Sequence, residues 1–383
     1  MHNSTSIYLD YQATTPTDPR VLQAMLPYFS DIYANPHSSH AMSYEPISAI
    51  KHAQTHLAQL IGAFPEEIFF TSGATEANNQ TIATVLFANY SKKNKILISS
   101  IEHKCVKEAA YFYAHKLGFI VEEIPVDKFG FIDQEKYNAA LTEDVLLVSI
   151  MAVNNEIGVI QDVKALAQAA HRVGALFHCD AAQALDSMRI DVFDLEVDFL
   201  SFSGHKIYGP KGIGVLFIAS HLHQKLTPLI HGGGQQSGLR AGTLPTPLCV
   251  GMGEAAKITA LEFNKNHEKL LKLKSMFLNE LNINNINYVI NGDINQRHPG
   301  NLNLQFPGYN AESLLNSLQP YLCASTGSAC NSGFISSSYV LRAIGLTDEE
   351  AQASIRFSFG RPTTKKQIQQ AVKLLKQQLS NSH

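Results

Sequence analysis

"SFSGHKIYGPKGIG" (residues 201–214) joins one β-rich run, "DFLSFS" (198–203), to another, "KGIGVLFI" (211–218). The turn between them is short and carries Ser203, His205, Lys206, Gly209 and Gly212. In an open α/β sheet, ligands bind beyond the carboxyl ends of the strands, so a hydroxyl, an imidazole and an amine placed there form a candidate site. Ser203 and His205 suit a phosphate. Lys206 is either a surface lysine or an amine made nucleophilic by its surroundings and able to form a Schiff base. The stretch lacks the Gly-x-x-x-x-Gly-Lys-[Ser/Thr] pattern and is not a nucleotide phosphate loop.

Working outward, similar short runs recur at "EIFFTS" (67–72), "KILISS" (95–100), "FIVEEI" (119–124), "VLLVSI" (145–150) and "ALFHCD" (175–180). Stretches with helical spacing lie between them, such as "EANNQTIATVLFANY" (76–90) and "VKALAQAAHRV" (163–173). Strands alternating with helices predict right-handed crossovers and a mainly parallel sheet covered on both faces. After "HGGGQQSGLRAGT" (231–243) the texture changes to a long helix starting near Gly251, then shorter strands and helices. That second part reads as a smaller α+β domain.

The bulk numbers agree with a soluble two-domain protein. The chain has 383 residues, 45% hydrophobic and 16% charged, with 30 basic and 33 acidic residues and a net charge of −3. No basic block suggests direct nucleic-acid binding. The N-terminus has no apolar signal core. "VLLVSIMAV" (145–153) is too short to cross a bilayer. The five cysteines are odd in number, scattered and without zinc-ribbon spacing, so the expectation is a reducing cytoplasm. Core packing is expected of Cys179 and Cys249.

Two further strand ends carry polar groups. "TSGATEANN" (71–79) leaves a strand and opens a helix, where the N–H groups near Ala74 and Thr75 form either an anion site or an ordinary capped terminus. "HCDAAQ" (178–183) ends a strand on Asp180, a solvated carboxylate or the partner of a protonated ring nitrogen. One cofactor uses all these pieces: pyridoxal 5'-phosphate needs a lysine for its aldehyde, a carboxylate for its pyridinium nitrogen and donors for its phosphate. Metal binding is the rival for "HCD" (178–180) and "EHKC" (102–105), but neither offers a local ligand set. A cysteine, Cys330, stands alone in the polar loop "STGSACNSG" (325–333), exposed to oxidation unless its reactivity is used.

With "YLDYQATTP" (8–16), "NP" (35–36), "EHK" (102–104), "VNNEIG" (153–158), "GLRAGT" (238–243) and "SIRFSFGRPTT" (354–364), these motifs in this order resemble the cysteine desulfurases. These are fold-type I pyridoxal-phosphate enzymes of the class V aminotransferase group. The resemblance implies an α/β fold with a seven-stranded, mainly parallel sheet. It also implies a large cofactor-binding domain at 15–260 and a small domain at 1–14 and 261–383, which carries a mobile cysteine loop at about 323–336. By matching position, Lys206 resembles the cofactor-binding lysine, Asp180 the ring-nitrogen partner and Gln183 the partner of the phenolic oxygen. Ala74, Thr75, Ser203 and His205 would hold the phosphate, with Thr243 reaching it from the other subunit of a homodimer. His103 would stack on the ring and move protons. Asn155 and Arg356, assisted by Asn35, would orient cofactor and substrate carboxylate. Cys330 matches the nucleophile that takes sulfur from L-cysteine as a persulfide, leaving L-alanine. The implied acceptor is a cluster scaffold or sulfur-carrier protein, although the chain ends at "LLKQQLSNSH" (374–383) without the family's scaffold-docking extension. Selenocysteine lyase and a sulfur-carrier or assembly subunit on the same fold are the alternative readings.

Overall fold

A computed structural model describes residues 6–88, 93–326 and 337–380. Cys330 and the centre of its loop lie outside the described residues. In chain order the strands are β1 (Ile7–Tyr8), β2 (Ile68–Thr71), β3 (Lys95–Ser99), β4 (Ile120–Ile124), β5 (Val145–Ser149), β6 (Leu176–Asp180), β7 (Phe199–Ser203), β8 (Gly214–Ile218), β9 (Val289–Ile290), β10 (Asn301–Gln305), β11 (Leu322–Cys323), β12 (Ser325–Thr326) and β13 (Ser354–Ser358).

Seven of them form one sheet in the order β2-β8-β7-β6-β5-β3-β4. From β4 to β7 every neighbour is parallel, while β8 runs antiparallel to both β7 and β2. Every residue of β5, β7 and β8 is buried, as expected for strands with helices on both faces. The seven β-rich runs of the sequence are these seven strands, each within three residues at its ends. The antiparallel β8 has a local cause. Only ten residues separate Ser203 from Gly214, too few for the helical crossover that a parallel neighbour requires.

Gly214 pairs with Thr71 on one side and Ser203 on the other. A Cβ there would lie 2.6 Å from the Gly73 backbone and 2.7 Å from the Phe202 carbonyl oxygen. A bare backbone at this position is what lets the turn after β2 close over the end of β7.

A second sheet, β12-β13-β10-β9, is antiparallel throughout, and β1 pairs with β11. Its core contains Leu302, Leu304, Ile355, Phe357 and Phe359. One helix, Thr246–Ile283, serves both cores. Its first half places Cys249, Met252 and Ala255 against the main sheet, and its second half places Leu270, Leu273 and Phe277 against the antiparallel one. At 1.5 Å per residue it is about 57 Å long. It starts five residues before the expected Gly251, with Pro247 in the first turn, where a missing N–H costs nothing. Gly253 is a packing position: a Cβ there would lie 2.5 Å from Ala53 Cα of the crossing helix Tyr44–Ile61. Cys179 and Cys249 are fully buried. Among the described residues no helix is long and apolar enough to cross a membrane.

Beyond the antiparallel end of the main sheet, the Gln236 side chain acts like a strand residue. Its Oε1 accepts from the Phe70 N–H at 2.6 Å, and its Nε2 donates to the Phe70 carbonyl at 2.9 Å. Arg240 pairs with Glu76 at 2.8 Å, and Gln80 donates to the Leu239 carbonyl at 2.9 Å. The 231–243 segment is thereby fastened to its own chain at three points.

Candidate active site

Asp180 ends β6 and Ser203 ends the neighbouring β7, so the two carboxyl ends open on one cleft. The Asp180 side chain is 3% exposed, and both of its oxygens are engaged. Oδ2 accepts from Asn78 Nδ2 at 2.8 Å and Oδ1 from the Ala182 N–H at 2.9 Å. These donors stabilise a carboxylate in a buried place where an unpaired one would be costly.

Lys206 follows β7 in a one-turn helix, Gly204–Lys206. Its amine donates to the carbonyls of Gln12 and Ala13, the latter at 3.0 Å. Burial, and then the nearby Arg356 charge, push its pKa down to about 8. A larger fraction of this amine is free base near neutrality than in an ordinary lysine. Gln183 reaches the same place, its Nε2 donating to the Gln12 carbonyl at 3.0 Å.

The helix Ala74–Ala88 begins beside Ser203: a Cβ on Gly73 would stand 3.7 Å from Ser203 Oγ. Its first-turn N–H groups, at Ala74 and Thr75, have no carbonyl within the helix to bond and are suited to an anion. His205 is held by Thr14 Oγ1 at 3.1 Å, and burial, then the charges of Lys206 and Lys211, lower its pKa to about 4, so it is neutral at physiological pH.

Arg356 on β13 comes from the antiparallel sheet. Nη1 donates to the Asn155 carbonyl at 2.8 Å and Nη2 to Asp10 Oδ1 at 2.7 Å. Its Nε and the Asn155 Oδ1 are buried without a partner among the described residues. His103 caps the helix Lys104–Leu117 and opens on the cleft. Burial lowers its pKa despite the opposing pull of Asp180.

Two predicted residues stand apart from this cluster. Asn35 uses its side-chain oxygen to accept from the His37 N–H at 2.9 Å within its own turn. Thr243 is exposed on the fastened 231–243 segment. Several residues that shape the cleft were not anticipated: Asp10, Asn78, Cys105 and the backbone of Gln12–Ala13. Asn78 lies in the quoted "TSGATEANN", one turn beyond Ala74 and on the same helix face, so its approach to the cleft was open to a periodicity argument.

A lysine of lowered pKa, a hydrogen-bonded carboxylate, an amide orphan at Asn155 and an open helix terminus define the binding cleft of a pyridoxal-phosphate enzyme, and its donors match that cofactor's aldehyde, ring and phosphate. The chain matches the Aminotransferase class-V family over residues 7–371. It is 47% identical over 370 residues to the cysteine desulfurase IscS of Rickettsia bellii (strain OSU 85-389), covering 96% of this chain and 90% of that one. It superposes on a solved NifS-like protein with a TM-score of 0.91 and 35% identity, covering 98% and 99% of the two chains. SspA in complex with cysteine superposes with a TM-score of 0.82 and 36% identity, covering 94% and 100%. The chain belongs to the class-V aminotransferase family and, within it, to the pyridoxal-phosphate-dependent cysteine desulfurases.

Proposed function

We propose that this chain takes the sulfur of L-cysteine as a persulfide on Cys330, releases L-alanine and passes the sulfur to an acceptor protein. The convergence of the Lys206 amine, the Asp180 carboxylate and the Arg356 guanidinium on one cleft carries the reading. Bound pyridoxal phosphate supplies an electron sink for negative charge at the substrate Cα. Asp180 would hold a proton on the cofactor's ring nitrogen, Gln183 would meet its phenolic oxygen, and Ala74, Thr75, Ser203 and His205 would hold its phosphate. Arg356, with Asn155, orients the substrate carboxylate by its planar fork.

Lys206 moves the Cα proton. The Cys330 thiolate attacks the substrate sulfur, an S–S bond forms and the Cβ–S bond breaks. The electron pair stays on carbon; Cβ takes up a proton, Lys206 returns one to Cα, and the product leaves as alanine. His103, whose pKa is drawn down by desolvation, is the proton carrier for the thiols.

Cys330→Ser tests the acceptor. A hydroxyl remains protonated and is a poor sulfur nucleophile. The variant therefore keeps the cofactor's yellow colour but yields no chain heavier by one sulfur atom in the mass spectrum. Undiminished alanine formation without added thiol overturns the assignment. Asp180→Asn keeps the size of the side chain and one of the two bonds from Asn78 and Ala182, but removes the charge facing the ring nitrogen. A loss of about a hundredfold or more in kcat is expected, read as alanine released at saturating L-cysteine.

We further infer a homodimer in which Thr243 meets the neighbouring chain's phosphate site. Its exposed position on a fastened segment supports this, as do the exposed Leu22, Leu26 and Phe29 at helical spacing. The acceptor belongs to iron–sulfur cluster assembly or another sulfur-incorporating pathway.

A further inference from the structure

Cys105 is left unused by the reaction just described, yet it sits between two of its residues. His103 Nδ1 accepts from the Cys105 backbone N–H at 3.2 Å. That bond requires a lone pair on Nδ1, which puts the neutral ring's proton on Nε2. Cys105 Sγ lies 2.9 Å from the same Nδ1. With no hydrogen on that nitrogen, the thiol is the donor. Asn78 in turn donates from Nδ2 to Cys105 Sγ at 3.1 Å and to Asp180 Oδ2 at 2.8 Å. Burial first, and Asp180 second, push the Cys105 thiol up to about 12, which keeps it an S–H donor at any working pH.

We propose that Cys105 is a positioning residue for His103: its thiol donates to Nδ1 and ties the imidazole, through Asn78, to Asp180, leaving Nε2–H as the proton-bearing atom. The proposal rests on the reading that His103 moves protons and Asp180 faces the cofactor ring. Every link has a consistent direction: Asn78 donates to both the carboxylate and the sulfur, and the sulfur donates to the ring. A donor bond to the Nδ1 lone pair favours the neutral imidazole and opposes protonation there. The charged groups acting on His103 are Asp180 from β6, Lys206 from the turn after β7 and Lys104 from its own helix. A change at Cys105 leaves all three in place.

The test follows the His103 ring directly in histidine-labelled holoenzyme by nuclear magnetic resonance, its signal assigned by loss in His103→Gln. Wild type should show the Nε2–H tautomer. Cys105→Ala should titrate higher by about half to one pH unit, the worth of one hydrogen bond. Cys105→Ser, whose hydroxyl also donates, should return toward wild type. The acidic limb of kcat/KM should move up with the titration in Cys105→Ala and back in Cys105→Ser. An Nδ1–H tautomer in wild type, or a titration unchanged in Cys105→Ala, overturns the proposal. If His103→Gln keeps full alanine formation, the proton role of His103 fails instead, while the tautomer and titration still decide the role of Cys105.

Discussion

Lys206→Ala lowers alanine formation by about a thousandfold or more, the scale of losing both a positioned base and a nucleophilic amine. The expectation follows from the position of this amine. It is half-buried, its pKa is drawn down to about 8, and it shares its cleft with Asp180 and Arg356. Lys211, five residues on, instead directs its amine to the Thr15 carbonyl at 3.4 Å. Lys206→Arg separates charge from proton transfer. It keeps the positive charge but cannot release a proton near neutrality, so it should be as inactive as the alanine variant. Borohydride treatment of wild type followed by peptide mapping should find the cofactor on Lys206. Cofactor fixed on Lys211, or an active alanine variant, refutes the assignment.

Mixing inactive chains should restore activity. Thr243→Glu places a carboxylate beside a phosphate, which is repulsive at close range. If Thr243 serves the neighbouring chain, a dimer of one Lys206→Ala chain and one Thr243→Glu chain gathers both defects in one site and leaves the other intact. Each mixed dimer has one working site of two, so about half of wild-type activity should appear in the purified mixed dimers. Each parent homodimer stays inactive. If Thr243 serves its own chain, every site keeps one defect and nothing returns. Differently tagged chains, purified in tandem, establish that the dimers are mixed before alanine is measured.

Most of the main sheet was legible because its inner strands are buried on both faces and read as short, mainly apolar runs; the edge strand β4, with Glu122 and Glu123, is the exception. "VLLVS" and "FLSFS" can hardly be anything else at that length. Lys206 and Asp180 were legible for a related reason, since a polar residue directly after such a run falls at the sheet's carboxyl edge. The supports of the site were hidden. Lys206 is held by backbone carbonyls of residues 12 and 13, and a carbonyl has no signature in the sequence. Cys105 appeared in "EHKC" as a weak metal candidate. Its contact with Asn78 arises only when two successive crossover helices, starting at Ala74 and Lys104, are brought side by side. The start of the long helix was placed five residues late, near Gly251, whereas that glycine lies inside the helix, where a Cβ would stand 2.5 Å from Met25 Sδ.

The carboxamide of Gln236 has a consequence for the state of the protein in solution. β2 is the outermost strand on its side of the sheet, and an outermost strand offers its unpaired backbone to any other chain in extended form. By taking both backbone groups of Phe70, one glutamine occupies the place where an intruding strand would begin to pair. The segment that presents Thr243 is thus also a guard against aggregation. A change that works this segment loose bares a ready template for fibrous self-association.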